Sequence, residues 1–550
     1  MRSLRKVISL FLCLILTLGL AVLPGGAAET VEATLKGSDV PVILLGGDGD
    51  VIYDADGNVA VDMNDFGTVF RTSGGGDGIM SAVAGVLQPF LLEGVLRGKW
   101  DNYYANLQKE VSDLTETLRL DENGNPRNGT DISAAHRAAV ERNKSTDKKG
   151  DKGYYSLQDY RFWYDWRLNP MEIADELHEY IEGVKAATGK ERVSVICRCV
   201  GVNVVLAYIA KYGPDSLCGL GIDGSTSFGG EFISEALTGR FKLDADAISR
   251  FLTDYNELGM IDISEFALAS VDLLAKSGLV KGLTAAVRAT IYDKVVEGVT
   301  SALALGTFFT LPCYWSFVAP EDYDTAIRFV FGEEGSEKRQ TYAGLIEKLD
   351  SYHEAVGLHV AELIDGVVDA GANLAIISKY GFQIFPVCST NDRPSDQYST
   401  VNHSSFGATT STAFDTLPDD YVAARQAQGK GEFISPDRTI DASTCRYPDN
   451  TWFLKGARHG NWTEGENRIL YTVTTADRPV TVNDLSLPRF LVYDAETDTV
   501  GPMTEENCGT EYWETTRPKG FAKLVSFFKA YARWLKALFA FLKGAIFKRG

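Results

Sequence analysis

The sequence predicts an α/β protein built on a mostly parallel sheet with helices on both faces. Apolar residues recur at helical spacing over Met171–Ala187, and the short apolar strand Val193–Ile196 follows. A second helix from Val202 to Tyr212 leads to another apolar strand, Leu217–Ile222. Because parallel sheets are buried on both faces, this alternation of helices with short apolar strands indicates a doubly covered sheet. With 550 residues, 45% of them hydrophobic, the chain can bury such a core.

Composition and charge exclude several function classes. The formal charge is −20 at pH 7, whereas nucleic-acid binding needs a concentrated basic surface, so we expect no nucleic-acid partner. The 8 cysteines form no C-x-x-C pair and no His/Cys group with zinc spacing, so the sequence predicts no metal centre and no cofactor. Their spacing establishes no disulfide.

The first 28 residues have the layout of a secretory signal peptide. Three basic residues precede an apolar run from Val7 to Leu23, and small residues follow up to Ala28. The apolar run is short for a retained membrane helix. We therefore expect removal of residues 1–28 and a mature protein that is extracellular or peripherally bound to the outer face of the membrane.

The remaining chain is predicted to form one main domain with two insertions and an appendage. The domain spans residues 38–480. Residues 121–153 are polar and rich in turn formers, which is typical of a surface insertion. Residues from about 231 to 368 lose the strand pattern and are mostly helical, which we interpret as a cap inserted after a sheet strand. Residues 481–516 are predicted to add a small β appendage.

A sharp strand-to-helix turn is predicted at Cys199. The strand ending at Ile196 runs directly into Cys197–Gly201 (CRCVG), and a helix follows. Such a turn raises its central side chain above the sheet and directs the next backbone N–H, here that of Val200, toward the same point. The pattern resembles the G-x-S-x-G nucleophile elbow, with cysteine at the first glycine and at the serine. An ionised thiol accepts acyl groups, whereas the alternative is an inert buried cysteine.

The most specific string in the chain is Phe162–Pro170 (FWYDWRLNP). It resembles the YDWR segment of the lecithin:cholesterol acyltransferase and lysosomal phospholipase family, where the segment also lies one helix ahead of the nucleophile strand. The resemblance implies that Tyr164, Asp165, Trp166 and Arg167 border the substrate pocket. The spacing of the two charged residues suits a local ion pair, and the aromatic residues suit an apolar acyl site.

The resemblance covers about residues 38–475 and implies an α/β-hydrolase fold with a helical cap. The family begins its domain with a strand like Pro41–Leu45 followed by a glycine turn. The N–H of Asp48 in that turn would be one oxyanion donor, with the N–H of Val200 as its partner. The glycine loop at residues 74–76 is an alternative source of the first donor.

His459 is the predicted base. It follows the strand Thr451–Leu454 by a short loop and comes last in chain order, as the nucleophile, acid, histidine order of the fold requires. The other histidines are predicted to have surface or packing roles, except that the last of them is a weak competitor for the base: His136, His178, His353, His359 and His403.

Asp437 is the predicted acid. Its segment, Ser435–Ser443, resembles the D-G-T-V segment of the family, although Arg438 stands where the family has glycine. Asp392 is a topological alternative because it lies just past a predicted strand. Asp441 is a third candidate.

These residues imply an exported acyl-ester hydrolase or acyltransferase that acts on a lipid-like substrate. The thiolate of Cys199, activated by His459 and oriented through it by Asp437, would attack an ester carbonyl, and water or an alcohol would release the thioester. One alternative is a catalytically silent α/β-hydrolase fold that binds a lipid or an envelope component, since the serine and the first elbow glycine are replaced. Another is a hydrolase of a small soluble ester or thioester.

The C-terminal residues 521–550 predict a basic amphipathic helix. They contain seven basic residues, no acidic residue and many large apolar side chains. This composition is too charged to span a bilayer and is typical of a helix that lies in an anionic membrane surface. The alternative is a terminal helix packed on the acidic body of the protein.

Overall fold

The structure is a computed structural model of the chain. The residues that it describes are 40–47, 49–62, 93–94, 97–133, 136, 159–227, 229–241, 247, 269, 293–412, 415–508, 525 and 528–536. The predicted signal peptide, Asp48, the glycine loop at 74–76 and most of the tail lie outside these residues.

A mostly parallel sheet of eight strands forms the centre of the described structure, which agrees with the predicted α/β class. The strands are β1 (Val42–Leu45), β2 (Ile52–Tyr53), β3 (Val59–Val61), β4 (Asp131–Ile132), β5 (Asp159–Arg161), β6 (Val193–Arg198), β7 (Leu217–Asp223), β8 (Asn373–Tyr380), β9 (Phe382–Gln383), β10 (Pro394–Ser395), β11 (Thr409–Thr410), β12 (Ile440–Asp441), β13 (Thr451–Lys455), β14 (Phe490–Asp494) and β15 (Thr499–Pro502). The order in the large sheet is β15-β14-β13-β8-β7-β6-β1-β5, and only β15 is antiparallel to its neighbour.

Helices cover this sheet and are numbered in chain order. They are α1 (Asp101–Leu114), α2 (Pro170–Thr188), α3 (Val200–Tyr212), α4 (Glu231–Leu237), α5 (Asp293–Gly306), α6 (Pro312–Trp315), α7 (Tyr323–Phe331), α8 (Glu337–Thr341), α9 (Ala343–Ala355), α10 (Val360–Asp369), α11 (Val401–Ser404), α12 (Asp419–Ala427) and α13 (Glu464–Thr474). Short 3-10 turns lie at Phe308–Thr310, Pro320–Asp322, Gly357–His359, Gly431–Phe433 and Ala442–Thr444.

Alternate residues of the central strands pack into apolar cores on opposite faces of the sheet. In β1, Ile43 belongs to the core that α2 and α3 cover, and Val42 belongs to the core that α13 covers. Successive side chains of a strand point to opposite faces, so a strand with helices on both sides must be apolar throughout. All six residues of β6 are accordingly buried, including the terminal Arg198.

Local sequence signals set the ends of two helices near the sheet. α2 begins after Asn169, whose side chain accepts the N–H of Met171, and Pro170 occupies its first position. α2 ends at Gly189, whose φ of 67° suits a left-handed cap. α13 begins with a reciprocal capping box between Thr463 and Glu466.

The structure modifies one predicted boundary. The segment predicted as a separate appendage after residue 480 instead extends the central sheet, because Phe490 pairs in parallel with Phe453 of β13. The hydrogen-bonding edge that β13 would otherwise expose provides the reason for this addition. Between β7 and β8 the described residues include helices and no strand; their designation as a cap stays a prediction. Nothing in the described part of the chain forms a helix long and apolar enough to cross a membrane.

Candidate active site

Cys199 lies in a strained turn between β6 and α3. Its φ of 48° and ψ of −121° are unusual for a residue with a side chain, and such a conformation costs on the order of 1–3 kcal/mol. Two hydrogen bonds hold it: its N–H donates to the carbonyl of Asp223 at 3.3 Å, and its carbonyl accepts the N–H of Val202 at 3.0 Å. The turn therefore lies where the sequence predicts it, although β6 extends two residues beyond Ile196 and α3 begins two residues before Val202.

Small residues on either side make room for this turn. A Cβ atom added to Gly201 would lie 3.0 Å from the Cβ of Leu45 and 3.1 Å from its carbonyl oxygen. Cys197, at the position of the first elbow glycine, is fully buried, and its thiol lies 3.3 Å from the carbonyl oxygen of Gly221. Burial raises the pKa of the Cys197 thiol, so this cysteine fills core space as a neutral side chain.

The glycine loop after β1 passes directly against Cys199. A Cβ atom added to Gly47 would lie 2.5 Å from the Cβ of Cys199 and 3.3 Å from its sulfur. The hydroxyl of Tyr164 donates to the carbonyl of Gly46, and Tyr164 accepts the N–H of Asp50 through its own carbonyl at 3.1 Å. The loop is thus fixed beside the thiol. The predicted donor Asp48 lies outside the described residues.

His459 lies between Cys199 and a carboxylate that the sequence reasoning missed, that of Asp396. The Nδ1 atom of His459 is 2.7 Å from Oδ2 of Asp396, and the backbone N–H of His459 donates to the carbonyl of Asp396 at 2.9 Å. The electrostatic interaction of the imidazole with Cys199 is one of the causes that raise the pKa of His459. Because Nδ1 faces the carboxylate, Nε2 is the ring atom left for the thiol.

Asp396 is held by a turn directly after β10. Its Oδ1 accepts the N–H of Tyr398 at 2.9 Å and the N–H of Ser399 at 2.7 Å, and its side chain is completely buried. Burial raises the pKa of this carboxyl, but His459 and the two N–H donors hold it below its usual range. Asp396 is therefore a buried carboxylate with one oxygen free for the imidazole.

The imidazole of His459 is enclosed and prefers its charged form. Burial lowers its pKa, but the attraction of Asp396 and Cys199 outweighs burial and raises the pKa to about 10. Gly224 has a φ of +58°, and a Cβ atom there would lie 2.9 Å from Cε1 of His459. The ring of Tyr398 lies on another side, 4.9 Å between centroids. These neighbours enclose the imidazole, whose side chain is only 8% exposed.

The prediction that Asp437 contacts His459 is wrong. Oδ2 of Asp437 lies 2.8 Å from Nζ of Lys455 and accepts the hydroxyl of Tyr380 at 3.0 Å. Oδ1 accepts hydroxyls from Ser435 and Thr439. Asp437 is therefore the anion of a buried structural ion pair, and its D-x-T pattern reflects a local turn.

The two other acid candidates also lie away from the imidazole. Asp441 is bound by Tyr421 and Arg425, both at 2.7 Å, and Asp392 is half-buried four residues before Asp396. One sequence signal for Asp396 lies in the loop after β8, where an Asp is followed three residues later by a serine. This pattern is common in turns in which the carboxylate accepts backbone N–H groups.

The FWYDWRLNP string contributes to the site in two ways. Tyr164 and Trp166 are fully buried, with Tyr164 bonded to the glycine loop. The expected ion pair is present: Asp165 and Arg167 are 2.7 Å apart with neither side chain exposed. Arg167 also donates to the hydroxyl of Thr130 at 3.2 Å, so the pair supports the wall behind the loop.

Aromatic rings lie around Cys199 and His459. Tyr314, in α6, lies 5.9 Å from Phe317 between ring centroids, and Phe317 lies 6.2 Å from Tyr398. Trp166 lies 5.9 Å from Tyr314 on the other side. Cys199 is only 4% exposed beneath this cover, so its surroundings are apolar. Among the described residues, no group of three or more His, Cys, Asp or Glu side chains is arranged to hold a metal ion.

Comparisons with known proteins add little to this geometry. No protein-family model matches the chain, and no curated protein matches it. Among solved structures, the chain is similar to one in the crystal structure of the Tle4-Tli4 complex, with 12% sequence identity, a TM-score of 0.24, and coverage of 63% of this chain and 75% of that chain. A likeness at that TM-score carries no argument about fold or function.

Substitution of each carboxylate in turn distinguishes Asp396 from Asp437 as the partner of His459. We expect Asp396→Asn to lower kcat for an ester by roughly 10⁴-fold, because an amide cannot stabilise the charged imidazole or fix its tautomer. The matched change Asp437→Asn removes a carboxylate of similar burial and is expected to lower thermal stability with far less effect on kcat of the folded fraction. A larger kcat loss in the Asp437 variant, measured at equal folded fraction, would contradict the assignment.

The pKa of His459 predicts a pH dependence of stability. Its pKa in the folded protein, about 10, exceeds the usual histidine value of 6.5, so its stabilising contribution is complete below about pH 6.5 and is lost as pH rises through about 10. We expect the difference in unfolding free energy between wild type and His459→Gln to shrink over that interval in denaturant titrations. The control His359→Gln alters an exposed histidine. A difference that does not change with pH would show that His459 is neutral in the folded protein.

Proposed function

We propose that the chain is an α/β-hydrolase that transfers acyl groups from esters through Cys199, His459 and Asp396. The observation that carries the proposal is the thiol at a strained strand-to-helix turn, in electrostatic interaction with a histidine whose Nδ1 faces a buried carboxylate. Nucleophile, base and orienting acid in this relation are the working parts of nucleophilic acyl transfer.

The proposed reaction has two steps. The Cys199 thiolate forms a bond to the ester carbonyl carbon, and collapse of the tetrahedral oxyanion breaks the carbon–oxygen bond while His459 gives its proton to the leaving alcohol. A water or a second alcohol then loses a proton to His459 and attacks the thioester, which restores the thiolate. We expect the N–H of Val200, at the N-terminus of α3, to donate to the oxyanion, together with the glycine loop after β1.

We propose that the ester is lipid-like. The aromatic cover formed by Trp166, Tyr314, Phe317 and Tyr398 offers apolar contact to an acyl chain. The resemblance of the YDWR segment to acyltransferases and phospholipases supports the same substrate class. A small soluble ester would leave most of this apolar surface unused.

Cys199 variants test the proposal directly. We expect Cys199→Ala to lower turnover of a long-chain p-nitrophenyl ester by roughly 10⁴-fold or more, whereas Cys199→Ser retains part of it because a hydroxyl fits the same turn. In the wild type, an acyl-ester probe is expected to acylate the tryptic peptide that contains Cys199, as detected by mass spectrometry. The control Cys218→Ala removes a half-buried thiol outside the site.

The same experiment distinguishes acyl transfer from the competing function, which is lipid binding without catalysis. A catalytically silent fold that binds a lipid or an envelope component would bind the ester without acylation of Cys199. Unlabelled wild-type protein, or an alanine variant as active as the wild type, would remove Cys199 from the mechanism.

We further propose that the protein is exported and that its C-terminal helix binds an anionic membrane surface. Residues 528–536 are helical, with Phe528 and Tyr531 largely exposed and Ala530 buried. Exposed aromatic residues beside Lys529 and Arg533 match a helix that inserts one face into the headgroup region. This location would bring the site to a lipid substrate.

Deletion of residues 521–550 tests the membrane proposal. We expect hydrolysis of a soluble short-chain ester to stay nearly intact, while binding to vesicles that contain phosphatidylserine falls, since each interfacial basic residue contributes on the order of 1 kcal/mol. Vesicles of phosphatidylcholine alone are the control, and added salt is expected to weaken binding of the full chain. Loss of soluble-ester activity together with the fold would show instead that the tail packs on the body.

A further inference from the structure

Four buried charges form a closed ring of ion pairs beneath the candidate active site. Arg198 lies 2.6 Å from Oδ2 of Asp223 and 2.6 Å from Oε1 of Glu466. Lys379 lies 2.9 Å from each of the same two oxygen atoms. None of the four side chains is more than 5% exposed. We refer to Arg198, Asp223, Lys379 and Glu466 as the charge ring.

Each member of the charge ring comes from a different element that supplies the site. Arg198 ends β6 and directly precedes Cys199, and Asp223 ends β7 and directly precedes Gly224, which touches the imidazole. Lys379 is the penultimate residue of β8, and Glu466 lies in the first turn of α13. The ring therefore joins the nucleophile turn to the segments around His459.

The cations of the charge ring also hold the loop that carries His459. Lys379 donates to the carbonyl of Asn461 at 2.7 Å and lies 3.5 Å from the carbonyl of His459 itself. Arg198 donates to the same Asn461 carbonyl at 3.2 Å, and its guanidinium stacks 3.4 Å from the ring centroid of Trp462. The cations of the charge ring therefore bind two backbone carbonyls in the loop after β13, those of His459 and Asn461.

Burial of the four charges of the ring costs more free energy than an apolar contact of similar volume would. Apolar residues of similar volume often stabilise a fold at least as well as buried ion pairs, because two charges must leave water. Burial raises the pKa of Asp223, but Arg198 and Lys379 outweigh burial and hold it below its usual range, whereas burial and the nearby Asp223 raise the pKa of Glu466. A function that needs fixed carbonyl positions accounts for charges at this place.

We infer that Lys379 and Arg198 are positioning residues for the acyl transfer, holding the backbone of His459 and Asn461 so that the imidazole stays in register with the Cys199 thiol. This inference rests on the proposed function. It assigns the ring no contact with substrate. Its consequence is that the thiolate–imidazolium pair depends on a lysine that touches neither partner's side chain.

Alkylation of Cys199 by iodoacetamide at different pH values tests the inference without a substrate. A thiolate paired with an imidazolium reacts at about pH 6, whereas an unpaired thiol, with a pKa near about 8.5, loses reactivity about tenfold for each lower pH unit. The titratable side chains that face the imidazole in the described structure are Cys199, Asp396 and Tyr398. The peptide that contains Cys199 is quantified by mass spectrometry.

We expect Lys379→Met to lower the alkylation rate at about pH 6 by roughly 10- to 100-fold, the scale of a displacement near 1 Å, with little change at about pH 9. For an ester, kcat falls by a similar factor while KM changes little. Lys379→Arg restores part of the rate at low pH. The matched control Lys455→Met removes a buried lysine that pairs with Asp437 at 2.8 Å and is expected to keep the wild-type profile.

A second variant covers the case in which Lys379→Met does not fold. Lys379→Met combined with Asp223→Asn removes one cation and one anion, so no buried charge is left unpaired. The same loss of reactivity at low pH is expected from it. A folded variant of either kind with the wild-type profile overturns the inference alone. If the wild type itself lacks reactivity at low pH, the proposed function fails and the inference falls with it.

Discussion

The strained backbone at Cys199 depends on the register of the parallel strands beside it. Leu45 of β1 pairs with Cys197 and Asp223 of β7 pairs with Arg198, so the glycine loop and the carbonyl of Asp223 both reach the turn. The N–H of Cys199 donates to that carbonyl. A slip of one residue would exchange the two faces of β6 and take away this support. The position of the proposed nucleophile therefore depends on sheet register.

Burial determines how the charged groups of the site are arranged. A buried charge without a partner is costly, so an anion must lie beside a cation or hydrogen-bond donors, and a cation beside an anion or hydrogen-bond acceptors. Asp396 has two backbone N–H donors and an imidazole, and Lys379 has two carboxylates and a backbone carbonyl. These hydrogen bonds and ion pairs hold the buried side chains within a narrow range of positions. A site closed to water needs such fixed positions, because no solvent molecule can replace a partner that is out of place.

Local patterns predicted the parts of the site that local structure builds. Cys199 and Val200 follow from a buried strand that runs directly into a helix, and His459 follows a buried strand near the end of the fold. Asp396 did not follow, because β9 and β10 have two residues each and show no periodicity. The sequence also did not predict the ion pairs of Lys379. Seven of the eight β8 residues are buried, and the partners of a lysine in this strand lie on other elements. Only tertiary structure supplies those partners.

Asp396 and Asp437 show why the acid assignment needed the fold. Both are buried in a turn and accept backbone N–H groups on Oδ1, Asp396 from Tyr398 and Asp437 from Thr439. Their difference lies in the partner of Oδ2. For Asp437 the partner is the ammonium group of Lys455, so its charge is already neutralised and is of no further use to an imidazole. For Asp396 it is His459, which completes the charge pair only when it is protonated, and this dependence on protonation is what base catalysis requires of the acid.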